Sequence, residues 1–146
     1  MVPNGYYAIF SRDKSGSILV RFAEHPNINT FGRDFEHAEE MATEALSVGL
    51  DADFERGFCL PPARKPRVTR GERAVFIPLD SEVRTAYLLR EWRKRAGLSQ
   101  KEIAKKLGIT YQAYQRMERP GRSNLTVATL DRIACALNRQ LAIEMR

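Results

Sequence analysis

The chain has 146 residues, 43% hydrophobic and 29% charged, an ordinary balance for a globular protein with one modest core or two small ones. No apolar run reaches the roughly 18 residues of a membrane span, and the first fourteen residues lack the basic and long apolar regions of a secretory signal, so a cytoplasmic protein with no membrane partner is expected. The net charge of +6 is unevenly placed: residues 1–60 hold 5 basic and 10 acidic side chains, net −5, whereas residues 81–146 hold 14 and 6, net +8.

Tyr6–Phe10 and Ile18–Phe22 are β-prone runs separated by SRDKSGS, in which Asp13, Ser15 and Gly16 are hairpin-turn residues. Two antiparallel strands are predicted, followed by a loop and a short third strand around Asn29–Phe31. Asp34 then caps a helix beginning at Phe35, with Phe35, Ala38, Ala42, Ala45 and Leu46 as its apolar stripe. Gly49 and Gly57 are alternative ends for it. Glu36, Glu39, Glu40 and Glu44 lie largely off the stripe. CLPPARKPRVTRGER reads as an irregular connection. Its Arg64, Lys65, Arg67, Arg70 and Arg73 suit a solvated linker, with a basic arm for the minor groove as the alternative. Ala74–Leu79 adds a fourth, edge-like strand.

Beyond it, Ser99 and Glu102 form a capping box that starts a helix at Gln100. Ile103, Ala104 and Leu107 supply its apolar face, and Gly108 ends it. Thr110 caps a second helix in which Ala113, Tyr114 and Met117 fall on the buried side. Tyr111, Gln112, Gln115 and Arg116 then face outward, and these side chains suit groove edges: Gln bonds adenine, Arg bonds guanine, and a Tyr ring touches a thymine methyl. A solvated helix face is the competing reading of any one such residue. Arg93, Lys94, Arg95, Lys101, Lys105 and Lys106 supply the positive charge that phosphate neutralisation requires. The loop of Arg122, Ser123 and Asn124, before a helix capped by Thr126, either offers backbone N–H groups to a phosphate or is plain surface. In the terminal QLAIEMR, Leu141, Ile143 and Met145 alternate as in a strand, which either pairs with a second copy or closes the domain's own core.

Catalysis finds little support. Cys59 and Cys135 lack metal-ligand spacing, and Cys135 in RIACAL reads as a buried thiol. His25 and His37 are the only side chains that titrate near neutrality, neither has an evident nucleophile or acid partner, and both read as surface residues. The predicted strands carry none of the clustered carboxylates of a two-metal nuclease. There is no phosphate-cradling glycine loop and no Cys/His box, so no enzyme activity, metal or cofactor is expected.

Two resemblances extend this reading. LSQKEIAKKLGITYQAYQRME with LTVATLDRIACAL, within roughly Val83–Leu137, resembles the XRE, or phage-repressor-like, helix-turn-helix family, with Gln100, Ala104, Gly108, Tyr114 and Met117 at the motif's defining positions. The resemblance implies that Gln100 meets a phosphate and that Tyr111, Gln112 and Arg116 read bases, with Gln115 beside them and Lys101, Thr110, Arg122, Ser123 and Asn124 as further backbone contacts. Position 114 departs from the family, which usually has Ile or Val there, and this bears on the tilt of the reading helix.

YYAIFSRDKSGSILVRFAEHP, the following Thr30–Gly32 and DFEHAEEMATEAL resemble antitoxins of HicB type, although Ala23, Glu24 and Asn27 depart from the family's usual PDxPGC loop. AVFIPLDSEVRTAYLLREWRK resembles that family's last strand and the helix after it. The fold so implied is α+β: a β-β-β-α-β, partial RNase H-like domain followed by an all-α helix-turn-helix domain of about five helices with a short C-terminal strand. The expected organisation is a toxin-binding domain at residues 1–60, a linker and edge strand at 61–79, and a DNA-binding, dimerising domain at 80–146. The resemblance further implies a small basic HicA-like RNase toxin as partner, double-stranded operator DNA, a homodimer or higher oligomer, and autorepression. Glu24, Glu36, Glu40 and Glu44 are candidate toxin contacts, each with a solvated-face alternative. The competing function is a stand-alone repressor whose N-terminal half senses a small ligand or dimerises.

Overall fold

A computed structural model describes residues 2–121 and 124–145. The chain divides into two compact units, Met1–Arg84 and Thr85–Arg146.

In the first unit, β1 (Gly5–Arg12), β2 (Ile18–Phe22), β3 (Asn29–Gly32) and β4 (Glu72–Pro78) form one antiparallel sheet in the order β3-β2-β1-β4. The β1–β2 turn forms because the Asp13 carboxylate accepts from the backbone N–H of Ser15 at 2.8 Å and of Ser17 at 3.0 Å, while Gly16 takes φ +90°. The Ser15 hydroxyl, with those amides, holds the Asp13 carboxyl below its ordinary pKa. Register pairs Ala8 with Phe22 and Phe10 with Val20, so Tyr6, Ala8, Phe10, Ile18, Val20 and Phe22 share one buried face.

α1 (Phe35–Glu55) is capped by Asp34, whose carboxylate accepts from the His37 N–H at 2.8 Å. Its buried stripe is Ala38, Ala42, Leu46, Leu50 and Phe54. Two expected members differ. Ala45 is only half-buried, and Phe35 stays exposed at the first position, its ring parallel to Phe10 and with the Arg12 and Arg73 guanidinium groups 5.6 and 5.2 Å from its centroid. The helix passes through Gly49, where a Cβ would stand 2.4 Å from Ile28 Cδ1, and stops before Gly57, which has φ +80°. Gly32 is likewise fixed by close approach: a Cβ there would lie 2.4 Å from the Ala38 nitrogen.

The connection after α1 has no regular structure but is tied down at two points. The Tyr6 hydroxyl donates to the Pro61 carbonyl at 2.6 Å, and the Arg64 N–H donates to Glu24 at 3.0 Å. β4 then pairs along β1 at the sheet edge, from Ser11 opposite Glu72 to Gly5 opposite Pro78.

α2 (Ser81–Arg95) spans the boundary between the units, and α3 (Gln100–Leu107), α4 (Tyr111–Met117) and α5 (Val127–Ala136) complete the second, which with α1 makes five helices among the described residues. Leu89, Ile103, Ala104, Tyr114, Ile133 and Leu137 form its core. Two sequence expectations fail here. Cys135 is exposed, not buried, because Ile133 and Ala134 take the inward face of α5 and the next residue turns about 100° away. Among the described residues there is no terminal strand: α5 closes with Asn138 at φ 56°, the Arg139 N–H reaching back to Ala134 at 2.9 Å, and residues 139–145 then run without a ladder partner.

Candidate nucleic-acid interface

The capping box predicted for α3 is complete. The Glu102 N–H donates to Ser99 Oγ at 3.1 Å and the Ser99 N–H donates to the Glu102 carboxylate at 2.6 Å, which lowers that carboxyl's pKa. α3 ends at Gly108 in the left-handed region, φ 70°, with the Ile109 N–H closing on the Ala104 carbonyl at 3.1 Å. Two residues later the Thr110 hydroxyl accepts from the Ala113 N–H at 3.1 Å and starts α4. The turn between the two helices is therefore set by local chemistry alone.

Tyr114 is fully buried against the α3 and α5 side chains of the core. Its hydroxyl is pushed well above the ordinary phenol range by burial, and then by the nearby Glu118 charge. The larger ring at this position is thus accommodated inside the unit, and α4 keeps its outer face free for polar residues. Gln112, Gln115 and Arg116 are exposed there and Tyr111 is half-buried. Lys101 Nζ lies 5.7 Å from the Tyr111 ring centroid, and Gln115 Nε2 approaches the Tyr111 hydroxyl at 3.4 Å. The start of α3 and the outer face of α4 thereby share one surface.

Sequence reasoning missed what anchors that surface. Glu118, at the end of α4 and fully buried, accepts both Arg93 Nε at 2.8 Å and Arg93 Nη2 at 2.6 Å. Arg93 Nη1 also donates to the Leu98 carbonyl at 2.8 Å, and Gln100 Nε2 stands 3.4 Å from the same carboxylate. Position and charge alone group Arg93 with the phosphate-neutralising cations, but its side chain is 11% exposed and committed to Glu118, whose hydrogen bonds raise its pKa. The partners lie 25 residues apart, so no helical spacing announces the pair. Gln100 is half-buried beside it, Thr110 serves as a cap, Lys101 and Asn124 are exposed, and Arg122 and Ser123 lie outside the described residues.

The remaining candidates scatter over other surfaces. Glu24 is half-buried and turned toward Arg64, whereas Glu36, Glu40 and Glu44 are exposed along α1. Leu141 is half-buried, and Ile143 and Met145 are exposed. His25 is not a surface residue: it is buried with its ring edge-on to Tyr6 at 4.4 Å and Nδ1 3.8 Å from the Asp53 carboxylate, since the loop after β2 folds back over the sheet. Desolvation lowers its pKa, against the opposing pull of Asp53 and Glu24. His37 uses Nδ1 to accept the Arg33 N–H at 3.2 Å. Among the described residues no His, Cys, Asp and Glu cluster has metal-site geometry, and no helix is long and apolar enough to cross a membrane.

A helix-turn-helix family model matches residues 89–143, which contain α3, the turn, α4 and α5 and leave residues 1–88 outside the match. No curated protein matches the chain. With the geometry above, the match makes the C-terminal unit a helix-turn-helix of the DNA-binding, transcription-regulating kind.

Proposed function

We propose that this protein is an autorepressing antitoxin of HicB type, whose C-terminal unit binds its own operator as a homodimer or higher oligomer while its N-terminal unit neutralises a small basic RNase toxin. The observation that carries the reading is the order of the two units. A β-β-β-α-β sheet unit whose helix α1 bears no Lys or Arg precedes a basic helix-turn-helix unit in the chain. The net −5 of residues 1–60 suits a cationic protein partner through long-range attraction. Tyr111, Gln112, Gln115 and Arg116 are assigned to base edges, and Lys101, Thr110 and Asn124 to the DNA backbone. The exposed Ile143 and Met145 are assigned to pairing with a second copy, which would supply the ladder partner that residues 139–145 lack. The role is binding, without catalysis or cofactor.

Co-expression of the chain with its flanking reading frames, followed by native mass spectrometry at moderate salt, tests this. A stoichiometric basic partner of well under a hundred residues, toxic when expressed alone, is the expected result. A bare homo-oligomer with no toxic neighbour would overturn the antitoxin reading and leave a stand-alone repressor.

A further inference from the structure

α1 carries seven carboxylates, Glu36, Glu39, Glu40, Glu44, Asp51, Asp53 and Glu55, and no Lys or Arg. Glu36, Glu40, Glu44 and Val48 follow one another at four-residue intervals, so they form a single stripe on the helix surface. Among the described residues Glu36, Glu40 and Glu44 have no ion-pair partner, and Val48 is 65% exposed at the end of their row.

Beside this stripe the first unit has an open groove of about 400 Å³ between α1 and the segment joining β4 to α2. Val48, Pro78 and the buried Val83 give it an apolar lining, and Glu40, Glu44 and Asp80 line it with negative charge. Its size is at the low end of ligand pockets, roughly 300–1,000 Å³, and its open side suits a protruding side chain better than an enclosed small molecule. An acidic rim around an apolar floor selects for the opposite arrangement in whatever enters: an aliphatic or aromatic knob flanked by cations.

We propose that this groove is the docking site for the basic protein partner, with an apolar side chain of the partner seated against Val48 and Val83 and neighbouring Lys or Arg residues meeting Glu40, Glu44 and Asp80. The proposal rests on the antitoxin reading for the identity of the occupant and adds the surface that holds it. Glu24, turned toward Arg64, takes no part in it.

The test uses the full chain and the basic protein co-purified with it, compared with Val48→Asp, Glu44→Lys and, as a control of equal charge change off the stripe, Glu39→Lys. All three positions are exposed, and thermal melts verify that each variant is folded. Titration at about 150 mM salt should show Kd raised about tenfold or more by Val48→Asp and by Glu44→Lys, and less than about threefold by Glu39→Lys. Parent-like affinity in both groove variants would overturn the docking site while leaving the antitoxin reading intact. Failure of the parent chain to bind any basic neighbour would overturn both before the variants are compared. If the groove variants instead changed the mass of the chain's own oligomer, the occupant would be a second copy and the proposal wrong.

Discussion

Gln112 and Arg116 stand one helical turn apart on the exposed face of α4, and side chains of these types can bond adenine and guanine edges respectively. Replacing either by Ala should cost about 1–3 kcal/mol for the operator and little for random DNA, which competitive gel shifts would measure. Equal loss on both DNAs would reassign the residue to the backbone. Glu118 acts differently, since it touches Arg93 and Gln100 inside the unit. Glu118→Gln leaves a buried guanidinium without its counter-charge, and urea unfolding should show a loss of about 3–5 kcal/mol. Replacing both Arg93 and Glu118 by apolar residues should cost less than that single change. In the first unit His25 sets a pH dependence. Its folded pKa lies below the ordinary value of 6.5, so between the two the unfolded chain binds more protons than the folded one. Stability is therefore complete above about pH 6.5 and falls as the pH drops toward the depressed value. Melts of the parent and His25→Gln at pH 7.5 and 5.5 should show a drop in the parent that the variant lacks.

At the scale of elements, α3 and α4 depend on stop and start signals only a few residues apart. Gly108 takes φ 70° and leaves one residue, Ile109, before the Thr110 cap. A Cβ at 108 meets no neighbouring atom, so Gly108→Ala carries only the left-handed backbone cost, about 1–2 kcal/mol, which a shift in the denaturation midpoint would report. α1 shows the opposite economy. Its Glu36/Glu40 and Glu40/Glu44 pairs are like charges at i,i+4, each destabilising by about 0.2–0.5 kcal/mol. The helix tolerates them because Ala38, Ala42, Leu46, Leu50 and Phe54 are buried along its other side.

The whole molecule carries +8 on residues 81–146 and −5 on residues 1–60, so its two ends should respond to salt through different partners. Operator affinity should fall linearly in log–log form as salt rises. Lys101→Ala, beside Tyr111 of α4, should reduce that slope by about one if it neutralises a phosphate, with Arg93 excluded from the count because Glu118 already occupies it. An unchanged slope in Lys101→Ala would remove this residue from the DNA contact. Much of this organisation is legible in the chain because it is local. The Asp13 turn, the caps at Asp34, Ser99, Thr110 and Thr126, and the glycine that stops α3 act within about four residues, the range over which a side chain meets its own backbone. α4 and its outward residues follow from those signals and a 3.6-residue period. What no local pattern contains is contact across sequence distance. Arg93 reaches Glu118 over 25 residues and Tyr6 reaches Pro61 over 55, while the burial of His25 and the exposure of Cys135 depend on which face each neighbouring element covers. Periodicity states that a face is apolar, but burial is a property of the surface that arrives to cover it, and only the packed chain decides that.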